Sequence, residues 1–214
     1  MGLFDGFSGK IGNLVVYRMN GKTVVRTMPA KRKQGATAGE QRNRNAFRFV
    51  MKVLQHAKSV VKIGFAQVAQ NRTAFQEAMS VNLHSYKLNG HEQTMGMWLK
   101  ISNGTRLGFN NLAVKHVGNG NVKLNWSNEL VDDNTFLNDG VVVLIIDNKS
   151  LETWQSVAEC RRSQGECVVT IPQTNQPRTL SVFAFAIHSI PTNRKNPTHI
   201  SASQWAGDLK SLAE

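Results

Sequence analysis

The chain has 214 residues, of which 41% are hydrophobic and only 19% charged; that length allows one large domain or two small ones with a buried core. Its net charge of +12 is uneven, because the first 60 residues hold twelve Lys and Arg against Asp5 and Glu40, leaving the remainder close to neutral. The longest apolar run, Val141–Ile146, is strand-sized, which excludes a helical membrane span by sequence, and the opening residues lack the basic-then-apolar order of a signal peptide, so the expected location is cytoplasmic or in a particle (a virion) assembled there.

The opening predicts a β-hairpin. Two Val-rich runs, Asn13–Arg18 and Thr23–Met28, flank Asn20-Gly21, and Asn-Gly between β-prone runs is the strongest short-range hairpin signal. Gly2, Gly6 and Gly9 read as flexible spacing. Lys10, Arg18, Lys22 and Arg26 put cations on and around this hairpin, Pro29 ends it, and Lys31, Arg32 and Lys33 make the following stretch a basic linker. A two-stranded hairpin is marginal in water, so residues 1–36 read as an arm that packs on something else.

Thr37-Ala-Gly-Glu40 has the spacing of a capping box, and a helix follows. Phe47, Val50, Met51 and Leu54 recur as one apolar stripe. Arg44, Arg48 and Lys52 recur every four residues as a basic ridge beside it, with Arg42 nearby. Further helices are expected over Ser59–Gln70, interrupted near Gly64, and over Arg72–Ser85, giving a small helical layer across residues 37–90.

From Met97 onward the period changes to two. Strands are expected at Met97–Ser102, Leu112–Val117, Asn121–Trp126, Gly140–Asp147, Thr153–Arg161, Cys167–Ile171, Leu180–His188 and Thr198–Ser203, separated by turn clusters rich in Asn, Gly and Asp. That spacing predicts an antiparallel sandwich over residues 91–214. Val141–Ile146 is apolar on both faces, as a central strand would be. The expected fold class is α+β: a basic hairpin arm, a small helical layer and a β-sandwich.

Three stretches carry a resemblance: GKIGNLVVYRMNGKTVVRTMPAKRK, the Arg-rich ATAGEQRNRNAFRFVMKVL, and the later series VKLNW, a DD pair, Cys160-Arg-Arg and THISASQWAG. Together the chain resembles an uncharacterised family, a domain of unknown function common in Bacteroidota and their mobile elements. The resemblance implies an organisation and no activity. Residues 112–203 are also similar to a fibronectin-type-III, immunoglobulin-like sandwich, with Trp126 where such domains carry a core tryptophan; ligands of that fold vary widely.

The residues with catalytic potential are scattered. His56, His84, His91, His116, His188 and His199 include no i, i+4 pair and no metalloprotease motif. His188 and His199 are placed to meet across a sheet, as a surface pair. Asp132, Asp133 and Asp139 read as an Asp-rich turn; a calcium loop would need a different spacing. Arg161-Arg162 reads as a solvated pair with phosphate gripping as the alternative. Cys160 and Cys167 read as reduced thiols flanking a hairpin loop, with a cross-strand disulfide as the alternative under oxidising conditions. No cofactor, metal site or catalytic residue is expected. The expected function is non-enzymatic: a structural subunit of a larger assembly, such as a phage virion, whose basic arm contacts neighbouring subunits of a homo-oligomer or nucleic acid. The alternative is a nonspecific nucleic-acid-binding accessory protein.

Overall fold

The computed structural model describes residues 6–19, 21–30, 35–69, 72–89, 94–128, 137–174, 176–188 and 199–211. The chain divides into two compact units, Met1–Gln41 and Arg42–Glu214.

The first unit is an antiparallel sheet of three strands in the order β1 (Gly9–Ile11), β2 (Leu14–Met19) and β3 (Lys22–Thr27). Met19 pairs with Lys22 across the expected turn, where Gly21 takes φ 77°. The additional strand β1 arises from a second two-residue loop: Ile11 pairs with Leu14, and Gly12 takes φ 56°. Both angles suit glycine, which lacks the Cβ that makes this region costly.

In the larger unit the helices are α1 (Ala38–His56), which begins at the end of the first unit, α2 (Lys58–Gly64), α3 (Ala74–Asn89) and the single turn α4 (Met95–Trp98). The capping box of α1 forms as expected: the Thr37 N–H donates to Glu40 Oε2 at 2.8 Å and the Glu40 N–H to Thr37 Oγ1 at 3.3 Å. A second box at Thr73/Gln76 starts α3 in the same way, at 2.9 and 3.2 Å. α2 ends at Gly64 and residues 65–69 form no helix, so the expected continuation toward Gln70 is corrected. Gly64 itself is fixed by packing, since a Cβ there would lie 2.1 Å from the carbonyl oxygen of Ile101.

The described residues of the sandwich form seven strands: β4 (Asn110–His116), β5 (Asn121–Ser127), β6 (Gly140–Asp147), β7 (Thr153–Arg161), β8 (Glu166–Thr170), β9 (Arg178–Ile187) and β10 (Gln204–Ser211). One sheet runs β10-β9-β6-β7 and the other β4-β5-β8, with every pairing antiparallel. The chain changes sheets between β5 and β6, β7 and β8, and β8 and β9, the crossover pattern of an immunoglobulin-like sandwich.

The two-faced apolar strands have two partners. Val141, Val143 and Ile145 of β6, with Val182 and Ala184 of β9, face the second sheet and its Val122, Leu124 and Trp126. The alternate residues Val142, Leu144, Phe183 and Phe185 instead pack with Val50, Leu54, Val61, Phe65 and Trp98 of the helical layer. The larger unit is therefore three layers deep, helices on sheet on sheet, with period-two alternation dividing one strand between two cores.

Two expected strands are corrected. Met97–Ser102 is not a strand: α4 ends at Trp98, and the backbone beyond it bonds to side chains. The Lys100 N–H donates to Asn82 Oδ1 at 2.7 Å, the Asn82 amide donates back to the Lys100 carbonyl at 2.8 Å, and the Ile101 N–H donates to Ser203 Oγ at 3.1 Å. Asn82 is fully buried. Asn82→Ala is expected to leave the Lys100 backbone groups without these partners and to lower stability by about 1–3 kcal/mol; urea unfolding checks it. In the expected Thr198–Ser203 strand, position 198 lies outside the described residues, and Ile200 and Ser201 form only single bridges. The last strand lies further on, at Gln204–Ser211, and bulges between Trp205 and Gly207.

Cys160 and Cys167 form a disulfide with Cα atoms 5.8 Å apart, so the reduced-thiol reading is replaced by its alternative. Its physical reason is position: β7 and β8 lie in different sheets, and the short connection between them brings both sulfurs to the same gap. The loop closed is short, so the constraint on the unfolded chain is worth roughly 2–3 kcal/mol. Full reduction of the disulfide is expected to lower the free energy of unfolding, read from urea titration, by that amount, and Cys160→Ser combined with Cys167→Ser is expected to abolish the difference between oxidised and reduced samples.

Candidate basic docking surface

The register of the leading sheet sorts its cations. Val15 lies opposite Lys10 on one side and Arg26 on the other, and Met19 lies opposite Lys22. Side chains alternate along a strand, so Lys10, Lys22 and Arg26 share a face with Val15 and Tyr17, and Arg18 projects from the other. All four cations are exposed. The Arg26 guanidinium sits 5.6 Å from the centroid of the Tyr17 ring, within cation–π range. Lys31, Arg32 and Lys33 lie outside the described residues.

Val16 is the only buried side chain among the described residues of this sheet. Phe7, Ile11, Met19, Val25 and Met28 are each 40–56% exposed. Three short strands with so little buried apolar area fall short of what an independent sheet needs.

On α1, Arg42, Arg44, Arg48 and Lys52 are all exposed. The four-residue spacing of the last three draws them into one line along the helix. None of these four forms an ion pair among the described residues. Phe47, between Arg44 and Arg48 in sequence, is 48% exposed. Phe49 leans instead into an aromatic cluster, 5.3 Å from Tyr86 and 5.9 Å from Trp98.

The other polar candidates serve the fold. Asp139 is fully buried and takes a two-pronged bond from Arg106, Nε to Oδ2 at 2.5 Å and Nη2 to Oδ1 at 2.9 Å. Its carboxylate already holds a cation, which is not the role of a turn residue; Asp132 and Asp133 lie outside the described residues. Arg162 is also buried, correcting the reading of Arg161-Arg162 as a solvated pair. Its guanidinium donates to the carbonyls of Leu107, at 3.0 Å, and Gly108, and lies 5.1 Å from the centroid of the Phe109 ring. Burial pushes its pKa below the usual guanidinium value; the Asp139 charge opposes that shift and the Arg106 charge adds to it. No local motif announces this role, because the carbonyls it grips lie more than 50 residues earlier in the chain. Arg161 stays exposed and donates to the Asn138 carbonyl at 2.9 Å.

His188 and His199 do meet: the His188 N–H donates to the His199 carbonyl at 3.0 Å, and the rings are 6.1 Å apart. His188 Nδ1 lies 3.4 Å from Asp139 Oδ1. His91 lies outside the described residues. Among the described residues no three of His, Cys, Asp or Glu gather as a metal site would require, and no helix is long and apolar enough to cross a membrane.

A family model described as a family of unknown function, DUF6266, matches residues 6–200. No curated protein matches. A solved structure titled "Myokine structure" aligns with 51% of this chain and 98% of its own, at 14% identity and a TM-score of 0.33, too low a score to carry an argument.

Proposed function

The chain belongs to the family of unknown function DUF6266, and from that premise we propose that it is a non-enzymatic subunit of a larger assembly, docked through its basic leading sheet. One observation carries the reading: among the described residues of the sheet only Val16 is buried, and apolar side chains are exposed on both faces, Met19 beside Lys22 and Ile11 and Val25 on the face of Arg18. A polyanion alone would need the cations and leave the apolar side chains wet. A protein partner on the cationic face would bury Met19 while its carboxylates matched Lys10, Lys22 and Arg26, and Ile11 and Val25, on the opposite face with Arg18, would be buried by a second contact.

Sedimentation over a concentration series tests it. The full chain is expected to associate at micromolar concentration, and Ile11→Asp with Val25→Asp to remain a monomer. A wild-type monomer at every concentration, with residues 9–27 readily cleaved by protease, contradicts the reading.

The ridge of Arg44, Arg48 and Lys52 supports a second reading, nonspecific nucleic-acid binding, because its cations have no carboxylate of their own among the described residues. Affinity for a mixed-sequence duplex should then fall steeply with salt. Neutralising all three is expected to reduce the slope of log K against log salt by about 3, close to one unit per phosphate contact. An unchanged slope removes this reading.

A further inference from the structure

The exposed face of the helical layer contains a groove between α1 and α3. Its deeper end, a cavity of about 360 Å³, is lined by Phe47, Met51, Phe75, Met79 and Leu83, with Gln76 and Ser80 at its edge. Phe75, Met79 and Leu83 repeat every four residues and so form one row on α3. The groove continues past Phe47, Met51 and Leu83 into a second space of about 580 Å³, walled by Asn43, Arg44, Arg48 and Lys87. No carboxylate lines either part. The groove thus has an apolar end and a cationic end, and Arg44, Arg48 and Lys87 are exposed and form no ion pair among the described residues.

We infer that this groove binds an acidic amphipathic helix from a protein partner. Two rows of side chains, one from each helix, with an apolar floor between them suit a third helix that docks through its i, i+3, i+4 and i+7 side chains. Charge complementarity selects the occupant. A second copy of this strongly basic chain would bring more cations to Arg44, Arg48 and Lys87, whereas Glu and Asp at one end of a helix would match them. Nucleic acid would meet the three cations and leave Phe75, Met79 and Leu83 uncovered. The inference deepens the assembly reading by naming a partner class for a second surface. It stands on the larger unit alone, whatever the leading sheet does.

The test uses the full chain and a labelled peptide of about 18 residues, with Leu at helical spacing on one face and Glu on the other. A peptide with the same Leu stripe and Lys in place of Glu, and a scrambled acidic peptide, serve as controls. Fluorescence anisotropy is expected to show saturable binding of the acidic amphipathic peptide alone. Met51→Asp with Leu83→Asp is expected to weaken it about 30-fold, as loss of a central apolar anchor does, with circular dichroism confirming that the helices remain. Arg44→Glu with Arg48→Glu is expected to exchange the preference, so that the Lys peptide binds and the Glu peptide does not. That exchange is a gain of binding, which a misfolded variant cannot give.

Three results overturn the inference: equal binding of the scrambled peptide, no binding of either amphipathic peptide, or displacement of the acidic peptide by single-stranded DNA with unchanged affinity in the Met51→Asp, Leu83→Asp variant. A change from oligomer to monomer on Leu83→Asp, with no peptide binding in the wild type, also overturns it and assigns the groove to a second copy. The leading-sheet variant Ile11→Asp, Val25→Asp is expected to bind the peptide like wild type. The sedimentation result and the peptide result therefore fail separately.

Discussion

Replacing Asp139 by alanine is expected to lower stability by about 3–5 kcal/mol, the usual loss when one partner of a buried ion pair is removed. Asp139 is fully buried, and both its oxygens accept from the Arg106 guanidinium. Its backbone carbonyl also accepts from the Arg162 N–H at 2.9 Å, so the residue ties together the segments around 106, 139 and 162. Alanine keeps that backbone bond and removes the carboxylate. Arg106, itself buried, would lose two charge-assisted bonds. The mechanism is checked by replacing both partners with apolar residues of similar size, Arg106→Met with Asp139→Leu. That double variant is expected to recover most of the loss, because neither member of the pair is left as a buried charge without its partner. Urea unfolding measures both, and a loss below about 1 kcal/mol for Asp139→Ala would place the pair among weak, solvent-screened bridges.

Phe185→Ala is expected to cost a similar amount, about 3–5 kcal/mol, by opening a cavity between layers. Phe185 is fully buried and belongs to the core shared by the four-stranded sheet and the helices. The neighbouring Ala184 and Ala186 face the opposite core, so the substitution loosens one interface and leaves the other packed. Far-ultraviolet circular dichroism is expected to show helix and sheet melting together. A helical transition well below that of the sheet would mean that the two layers are not one cooperative unit.

Much of this architecture was legible in the sequence, and the failures have identifiable causes. β6 and β7 occur where alternation and turn residues place them, at Gly140–Asp147 and Thr153–Arg161, because both are long and bounded by clear breakers. The apolar character of Val141–Ile146 on both faces correctly marks a central strand; its second partner, the helical layer, is a tertiary fact that periodicity does not carry. β10 escapes because Gln204–Ser211 contains a bulge and Gly207, and its pattern is set by pairing with β9. β1 was missed although its signal was present, in the two-residue Gly12-Asn13 loop between short runs. The Met97–Ser102 strand fails because Asn82 and Ser203 take over backbone bonds that a neighbouring strand would have made, from positions distant in sequence.

The basic surface was the easiest part to read, since charge is visible without folding. Of the expected contact residues, Lys10, Arg18, Lys22, Arg26, Arg42, Arg44, Arg48 and Lys52 are exposed. Sequence reasoning did not separate these cations by task. Strand register puts Lys10, Lys22 and Arg26 on one face and Arg18 on the other, and the proximity of α3 turns Arg44 and Arg48 into the wall of a groove that also includes Lys87. Arg162 shows the converse: one of a pair of arginines at a strand end reads as solvated, and its burial appears only when remote carbonyls are in place.

The central proposal is that the leading sheet is completed by burial against another protein. Hydrogen exchange of the backbone amides in residues 14–19 and 22–27, recorded in dilute and in concentrated protein, tests this most directly. The proposal predicts fast exchange when dilute and strong protection once the chain associates, with amides of β6 and β9 protected throughout. Full protection of the leading sheet in a dilute monomer, or none in the concentrated sample, would contradict it.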